Sequence, residues 1–498
     1  METNTNSNSQ PVSTDPVKTA SGDPGKLPVI EKIGFGLGDT ASNILYQAWS
    51  FFLMVFYTDV FGIPAKAASF MFLVTRVWDM INDPIMGMIA DRTNTRWGKF
   101  RPYLLWMAVP YGILACAMFI TPDWSQNMKV VYAYITYILA TMAYTAVNIP
   151  YSSLMAVMTP DPHERTTLSQ YRFFFAFVGM LLVTTFTLPL AKLFGANPAH
   201  PGYSEELGYS QALGYQVTMG VFGAIAIVLL FITFATTRER VKPPKEQKTP
   251  FLQDLGNVSR NVPWLIIFIA SIFWLIHNMI RNGMTAYYFN NVNGEGDKVL
   301  LTFALGAMKL DFDQTTVFLT IGTFGMMAGV FLSTPLKKMF GRKTLIIFFT
   351  LASVLLSGVF YWLPAQNFVL LGIMNFVWAI VAGAIPVFIF AMFADVTDFH
   401  EWKFGQRATG LVIAGIMFAI KMGVAVGGFL GLYLLGLYGY DKELPITPEI
   451  MHGIKLLFSI VPAGFMLVSA IVLCAYPINE KMLTQIEVDL KNRNKSEA

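Results

Sequence analysis

About twelve stretches of roughly twenty mostly apolar residues follow one another along this chain, and no other feature restricts its fold as strongly. They run over 33–58, 65–90, 102–121, 129–157, 170–194, 215–236, 263–289, 315–336, 344–363, 367–393, 409–437 and 452–475. A helix of about twenty residues crosses the ~30 Å hydrocarbon core of a bilayer and satisfies its own backbone N–H and C=O groups on the way. Composition agrees with a membrane protein. Only 13% of residues are charged, about half the share of a soluble domain, and mean hydropathy is +0.52. The two cysteines, Cys116 and Cys474, both lie in apolar runs, so neither a disulfide framework nor a cysteine metal cluster is expected. The fold class expected is an all-α membrane protein.

Lysine and arginine placement sets the expected orientation. Alternate connectors hold Arg92, Arg96, Lys99, Arg101, Arg165, Arg238, Arg240, Lys242, Lys245, Lys248, Arg260, Lys337, Lys338, Arg342, Lys343, Lys403 and Arg407. The other connectors hold only Lys66, Lys129, Lys192, Lys298, Lys309 and Lys442. The basic side is expected to face the cytoplasm, with both termini there and the chain a multi-pass protein of the plasma (inner) membrane. Residues 1–30 have no apolar core of a signal peptide and read as a disordered cytoplasmic tail, and 477–498 as a second tail.

The polar, Pro-containing connector 238–262 divides the spans six and six, giving expected helical bundles at 31–237 and 263–476. The halves echo each other. Gly87 to Arg92, then Arg96-Trp97-Gly98-Lys99, closes the second span; Gly329, Pro335 to Lys338, then Gly341-Arg342-Lys343, closes the eighth. Duplicated halves with a site at the midplane between them are a feature of many secondary transporters. Long connectors at 195–214 and 290–313, rich in Gly, Asn and Tyr, are expected on the outer side.

Ionisable groups within spans cost about 2.5–3.5 kcal/mol at the bilayer centre, so each needs a reason. The second span carries Arg76, Asp79 and Asp83, with the two acids one turn apart on one face. Such a pair holds a cation between its oxygens or shares a proton, unless it is a structural ion pair with Arg76. The fourth span lines up Thr141, Thr145, Asn148 and Ser152, oxygen donors suited to an alkali cation or a sugar hydroxyl, or to polar packing between helices. The first span shows Asp39, Asn43, Tyr46 and Ser50 on one face beside Trp49. Hydrogen-bonding groups next to flat rings suit a sugar, although Asp39 could also serve only as a cap. Arg172 lies in the fifth span and Lys421 alone in the eleventh, where the acids of the second span are its natural partners. His277 and Arg281 in the seventh suit pore lining and a structural network equally. Asp395, Asp398, Glu401, Lys403 and Arg407 end the tenth span, as a weak ion-pair network gating the inner side or as an ordinary solvated helix end.

Several segments carry a specific resemblance. Tyr57-Thr58-Asp59-Val60, Trp78-Asp79-Met80-Ile81-Asn82-Asp83-Pro84, Arg96-Trp97-Gly98-Lys99-Phe100-Arg101-Pro102, Asn148-Ile149-Pro150-Tyr151 and Ala394-Asp395-Val396-Thr397-Asp398-Phe399 occur in order within roughly 30–480. Together they resemble the glycoside–pentoside–hexuronide:cation symporters, the melibiose permease-like family of the major facilitator superfamily. That resemblance implies about twelve transmembrane helices in two pseudo-symmetric six-helix halves. By position it implies a cation site at Asp79, Asp83, Thr145, Asn148 and Lys421. For the substrate it implies Arg172; with the first- and fourth-span stripes, the full expected set is Asp39, Asn43, Tyr46, Trp49, Asn148, Ser152 and Arg172. It implies an inner gate of Asp395, Asp398 and Glu401 with Arg165 and Arg407. The family's third cation-site acid is Asn148 here, its helix-one lysine–aspartate pair is Ser42-Asn43, and its helix-four tryptophan is Ser152.

The function expected is cation-coupled symport of a glycoside, oligosaccharide or pentoside by alternating access, with H+ favoured over Na+ because one carboxylate is missing. Asp79 and Asp83 would be metal ligands only if sodium is the ion. No cofactor and no nucleic-acid partner are expected; sugar, cation and lipid bilayer are. A lysolipid carrier of the same superfamily is an alternative. A non-transporting sensor would need a soluble output domain, for which 1–30 and 477–498 look too short, and no nucleophile–base arrangement points to an enzyme.

Overall fold

The computed structural model describes residues 26–159, 161–240, 260–305, 308–404, 409–441 and 444–496. In chain order, the first part holds α1 (Val29–Val55), α2 (Ala65–Arg92), α3 (Arg101–Trp106), α4 (Ala108–Ala117), α5 (Gln126–Met158), α6 (Pro162–Gly195) and α7 (Gln211–Thr236). There follow α8 (Val262–Tyr287), a hairpin of β1 (Val299–Leu305) and β2 (Met308–Asp313), α9 (Gln314–Phe340), α10 (Arg342–Val359), α11 (Phe368–Phe404), α12 (Thr409–Leu437), α13 (Pro448–Phe458), α14 (Ile460–Cys474) and α15 (Glu480–Ser496). Below, the near end of the bundle is the end where α1 begins, and the far end is where α1 finishes.

Among the described residues, nine helical stretches are long and apolar enough to cross a membrane, from α5 through the α13–α14 pair. The first three expected spans fall short of that standard for reasons visible in their residues. Asp39, Asn43 and Gln47 make α1 polar along one stripe, α2 carries Lys66, Arg76, Asp79, Asp83, Asp91 and Arg92, and the third span is broken into α3 and α4 at Met107. Pro110 explains that break. It has no N–H for the carbonyl of Trp106 one turn earlier.

The packing is duplicated. In the first half, α1 lies on α6 and α7, α2 on α5, and α4 on α5 and α7. In the second, α8 lies on α12 and α14, α9 on α11, and α10 on α11 and α14. The two patterns correspond helix for helix in these contacts. The halves meet where α2 packs on α12, α6 on α9, and α1 on α8. Close approach needs small residues. A Cβ on Gly383 of α11 would overlap the carbonyl of Met326 on α9, and one on Gly329 the carbonyl of Ile380. Side-chain caps start several helices: Ser210 accepts from Leu213 N at α7, Asn261 from Trp264 N at α8, and Asp313 from Thr316 N at α9.

The last span breaks at Ser459, between α13 and α14. Pro462 cannot donate to the Phe458 carbonyl, and that oxygen is taken instead by Arg281 Nη1 at 3.2 Å. His277 Nδ1 donates to the Pro462 carbonyl at 2.9 Å. Both side chains are buried, and the Arg281 guanidinium lies over the rings of Trp378, Phe360 and Phe458 at 4.0, 4.4 and 4.7 Å. This face of α8 is therefore a structural network rather than pore lining.

The structure corrects one expectation at the termini and adds detail at two other places. Residues 26–30 are not a loose tail: Leu27 is buried, donates its N–H to Glu164 Oε2 at 3.1 Å, and α1 starts at Val29. Residues 480–496 are helical, with Ile486 buried and Asp489 accepting from Trp402 Nε1 at 2.8 Å. The connector 290–313 contains the β1–β2 hairpin, whose alternation of Lys309, Asp311 and Asp313 with Leu310 and Phe312 has the period of a strand.

Candidate cation and substrate sites

Two polar clusters lie at one level of the bundle. Asp39 comes ten residues after the start of α1, Arg172 ten after the start of α6, and Asn148 ten before the end of α5. Asp83 lies nine before the end of α2 and Lys421 twelve after the start of α12. At 1.5 Å per residue each is about 15 Å from the near end, close to the middle of a ~30 Å core.

The first cluster joins the halves. Lys421 of α12 forms a salt bridge with Asp83 Oδ2, and Thr145 Oγ1 of α5 donates to Asp83 Oδ1 at 3.0 Å. Asp83 thus receives a bond from each half. Asp79, one turn toward the far end, is buried, as are Thr145 and Thr141. Thr141 donates back to the Ile138 carbonyl of its own helix at 2.9 Å. Among the described residues no third His, Cys, Asp or Glu joins the two acids to form a metal-binding group.

The second cluster is a continuous chain of hydrogen bonds through the first half. Arg172 Nε donates to Asp39 Oδ2 at 2.8 Å and Arg172 Nη2 to Ser152 Oγ at 3.2 Å. Ser152 Oγ donates to Asn148 Oδ1 at 3.5 Å, and Asn148 Nδ2 to the Tyr144 hydroxyl at 2.7 Å. The guanidinium also lies 5.2 Å above the Tyr151 ring, whose hydroxyl donates to the Phe35 carbonyl at 2.6 Å. Aromatic rings close the other end. Tyr46 stacks on Tyr144 at 5.5 Å between centroids, and Trp49 meets Tyr144 and Tyr111 edge-on at 6.4 and 6.1 Å. Asn43 Nδ2 donates to the Asp39 carbonyl at 2.9 Å and Ser50 Oγ to the Tyr46 carbonyl at 2.9 Å, so both bond within α1.

Six of the expected substrate residues, Asp39, Tyr46, Trp49, Asn148, Ser152 and Arg172, therefore come together. Asn148 sits on the Tyr144–Ser152 side, and from α5 it is Thr145 that reaches Asp83. Tyr144 and Tyr111 were not anticipated. Tyr144 precedes Asn148 by one turn, so the helical period that linked Asn148 to Ser152 could have found it.

Two members of the expected inner gate, Arg165 and Asp395, contact residues outside that set here. Arg165 donates to the carbonyls of Thr159 (2.9 Å) and Ala156 (3.2 Å), closing the end of α5. Asp395 pairs with Arg342, at the start of α10, and is buried. Lys403 lies over the Phe399 ring at 5.5 Å. Arg407 lies outside the described residues, as does most of the 238–262 connector.

At the far end, polar contacts tie the halves together. Thr58 and Tyr287 share a hydrogen bond of 2.6 Å, the Tyr440 hydroxyl donates to Asp59 Oδ1 at 2.9 Å, and Lys192 pairs with Asp313 at 2.7 Å. Burial and the adjacent Asp59 carboxylate push Tyr440 above its ordinary value, which keeps it a donor. Thr184 meets Thr323 at 3.0 Å, and Thr185 meets Thr320 at 3.1 Å. A small cavity behind this seal is lined by Asp59, Tyr209, Tyr215, Asn290 and Asp297, from both halves.

A family model described as MFS/sugar transport protein matches residues 34–480. The chain is 34% identical over 467 residues to the putative glycoside/cation symporter YagG of Escherichia coli (strain K12), covering 93% of this chain and 95% of that one. It is 36% identical over 451 residues to the inner membrane symporter YicJ of the same organism (90% and 92% covered). It is 34% identical over 473 residues to the isoprimeverose transporter of Lactiplantibacillus pentosus (93% and 92%). The chain belongs to the glycoside–pentoside–hexuronide:cation symporter family. It is a transporter of the major facilitator superfamily, an integral inner-membrane protein rather than an enzyme. The solved inward-open xylose transporter XylE of E. coli shares its fold, with a TM-score of 0.57 at 16% identity over 92% of this chain and 98% of that one. A symporter of this family needs no cofactor, its coupling cation being cargo.

Proposed function

We propose that this sugar–cation symporter carries a glycoside, oligosaccharide or pentoside together with a proton, in preference to sodium. The halves 31–237 and 263–476 would alternate about the midplane site, with the near end cytoplasmic and the far end external. The observation that carries the proposal is Asp83, held at once by Thr145 of its own half and by Lys421 of the other. With no cation bound, Lys421 neutralises that carboxylate. A cation at the Asp79/Asp83 pair competes with the ammonium for the same oxygens, so its arrival changes the contact between the halves. A bound ion shifts a conformational equilibrium only through such differential contacts.

The second cluster is the proposed sugar site. Arg172 and Asp39, with Ser152 and Asn148, offer donors and acceptors to hydroxyls, while Tyr46, Trp49 and Tyr144 offer ring faces. Helix α5 carries Tyr144 and Thr145 side by side, one toward the sugar and one toward Asp83, which supports coupling through that helix. Asn148 in place of a carboxylate leaves two acids against one lysine, which weakens the field available to sodium and favours a proton. To admit sugar from outside, the Thr58–Tyr287, Asp59–Tyr440 and Lys192–Asp313 contacts must part. Asp395, Asp398 and Glu401, with Arg165 and Arg407, are the proposed inner gate.

Uptake of labelled xylosides and glucosides into proteoliposomes, with pH and sodium gradients imposed separately, tests this reading. Accumulation driven by the pH gradient, and abolished in Asp83→Asn, is expected. Accumulation driven by sodium alone would overturn the proton preference; uptake indifferent to both gradients would overturn coupling. Competition by lysolipids rather than glycosides would replace the sugar.

A further inference from the structure

The β1–β2 hairpin is amphipathic in a way the transport reading does not use. Antiparallel pairing sets Leu301 opposite Phe312 and Phe303 opposite Leu310, so these four side chains share one face. Thr302, opposite Asp311, and Ala304, opposite Lys309, share the other, where Thr302 donates to Asp311 Oδ1 at 2.7 Å. The base of the apolar face is covered: Phe312 meets the ring of Phe186 on α6 edge-on at 6.3 Å. Leu301 and Phe303 remain 62% and 57% exposed.

The depth of that base says what covers the remainder. Phe186 lies nine residues before the end of α6, inside the stretch of that helix apolar enough to span a membrane. At 1.5 Å per residue, this is about 13 Å below the helix end. Lys192, one to two turns nearer the end, pairs with Asp313 where β2 passes into α9. The apolar face of the hairpin therefore starts against the apolar stretch of α6, and on the neighbouring α9 Phe324 is exposed. Among the described residues the outer backbone edge of β1 pairs with no third strand, and unpaired N–H and C=O groups are not tolerated in hydrocarbon. A position at headgroup depth satisfies both constraints.

We propose that the hairpin is a membrane-interface element, with Leu301, Phe303 and Leu310 seated in lipid of the far leaflet and Thr302, Lys309 and Asp311 in water. Because Lys192–Asp313 ties the hairpin to α6 of the other half, the lipid surface then holds one side of the far-end seal.

The test uses full-length protein with Cys116→Ser and Cys474→Ser, carrying Phe303→Cys or Lys309→Cys labelled with an environment-sensitive fluorophore, in phosphatidylcholine–phosphatidylglycerol vesicles. Retained sugar uptake reports folding, and Leu301→Cys replaces Phe303→Cys if that variant fails. The label at 303 is expected to be quenched at least twofold more by lipid spin-labelled near the headgroup than by aqueous iodide, and the label at 309 the reverse. Equal iodide quenching at the two positions overturns the proposal. So does a label at 303 shielded from both quenchers, which would assign the face to a second copy of the chain.

Discussion

Lys421 and Asp83 face each other across the boundary between the halves, α12 supplying the cation and α2 the carboxylate. Each side chain is about a fifth exposed, 19% and 18%, so the pair is sheltered but within reach of water. Removing one partner of a buried pair costs about 3–5 kcal/mol because the other charge is left uncompensated, and partial exposure here reduces that to about 1–3 kcal/mol. Asp83→Asn and Lys421→Gln are each expected to lower the thermal unfolding midpoint of the purified protein. The double variant should recover much of the loss, with a coupling of at least about 1 kcal/mol. Strict additivity of the two losses would show that the pair does not interact.

Thr145 donates to the other oxygen of the same carboxylate. A hydrogen bond to a charged group is worth about 1.5–3 kcal/mol, or roughly tenfold to a hundredfold in an equilibrium constant. Thr145→Val removes a donor that favours the charged carboxylate over its protonated form, so it is expected to lower at least tenfold the proton concentration that half-saturates uptake. Thr145→Ser, which keeps the hydroxyl, should stay near wild type. Equal behaviour of the two would remove Thr145 from the cation site.

Arg172 uses the fork of its guanidinium: Nε on Asp39 and Nη2 on Ser152 at the same time. Lysine keeps the charge but cannot hold both partners in that plane. Arg172→Lys is therefore expected to raise the sugar concentration for half-maximal uptake at least tenfold, with protein abundance and thermal midpoint near wild type. An unchanged sugar dependence would place Arg172 in the scaffold alone.

Much of this was legible in the sequence, because bilayer physics leaves few choices. Runs of about twenty apolar residues located the spans, and the rarity of intramembrane charge picked out Asp83, Lys421, Asp39 and Arg172. That the last two pair is a tertiary fact, spread over 133 residues of chain, which no period in the sequence reports. Asp395 shows the same limit: its partner is Arg342 of α10 rather than Arg165, and a surplus of bases at one end cannot say which of them is chosen. The breaks at Met107 and Ser459 had a local signal in Pro110 and Pro462. Yet Pro84 and Pro150 lie within unbroken helices, so proline alone does not decide. The hairpin has a weaker signal, because its strands are short and lie in a connector outside the apolar runs.

Arg281 offers a structural control. It fills a space bounded by Phe360, Trp378 and Phe458 and satisfies the carbonyl that Pro462 leaves open. Arg281→Ala loses both functions and should cost at least about 3 kcal/mol, the range for emptying a large buried site. Arg281→Met keeps most of the apolar volume and removes a buried charge, so it is expected to retain more stability. Both should leave the ratio of sugar to cation transported unchanged wherever the protein folds. A changed ratio would move Arg281 into the transport path.

Gly98, in the connector between α2 and α3, has a φ of +111°, a region closed to most side chains, and a Cβ there would lie 2.5 Å from the carboxyl carbon of Glu239. That carboxylate accepts from three successive backbone N–H groups, Lys99 at 2.9 Å, Phe100 at 2.7 Å and Arg101 at 2.9 Å, so it caps the start of α3. Its neighbour Arg240 binds both oxygens of Glu31 on α1 at 2.7 Å. The residues just after α7 thus buckle together the near ends of α1, α3 and α7. Gly98→Ala must strain the backbone, at about 1–3 kcal/mol, and also expel the carboxylate from its three donors. It is expected to lower the thermal midpoint more than Glu239→Gln, which keeps one carbonyl oxygen as acceptor. Adding Glu239→Ala to Gly98→Ala relieves the overlap but not the strain, so the double variant should cost less than the sum of its parts. A Gly98→Ala protein that unfolds at the wild-type temperature would show that this end of the bundle yields freely, and the buckle would then have no part in keeping the first six helices a single moving body.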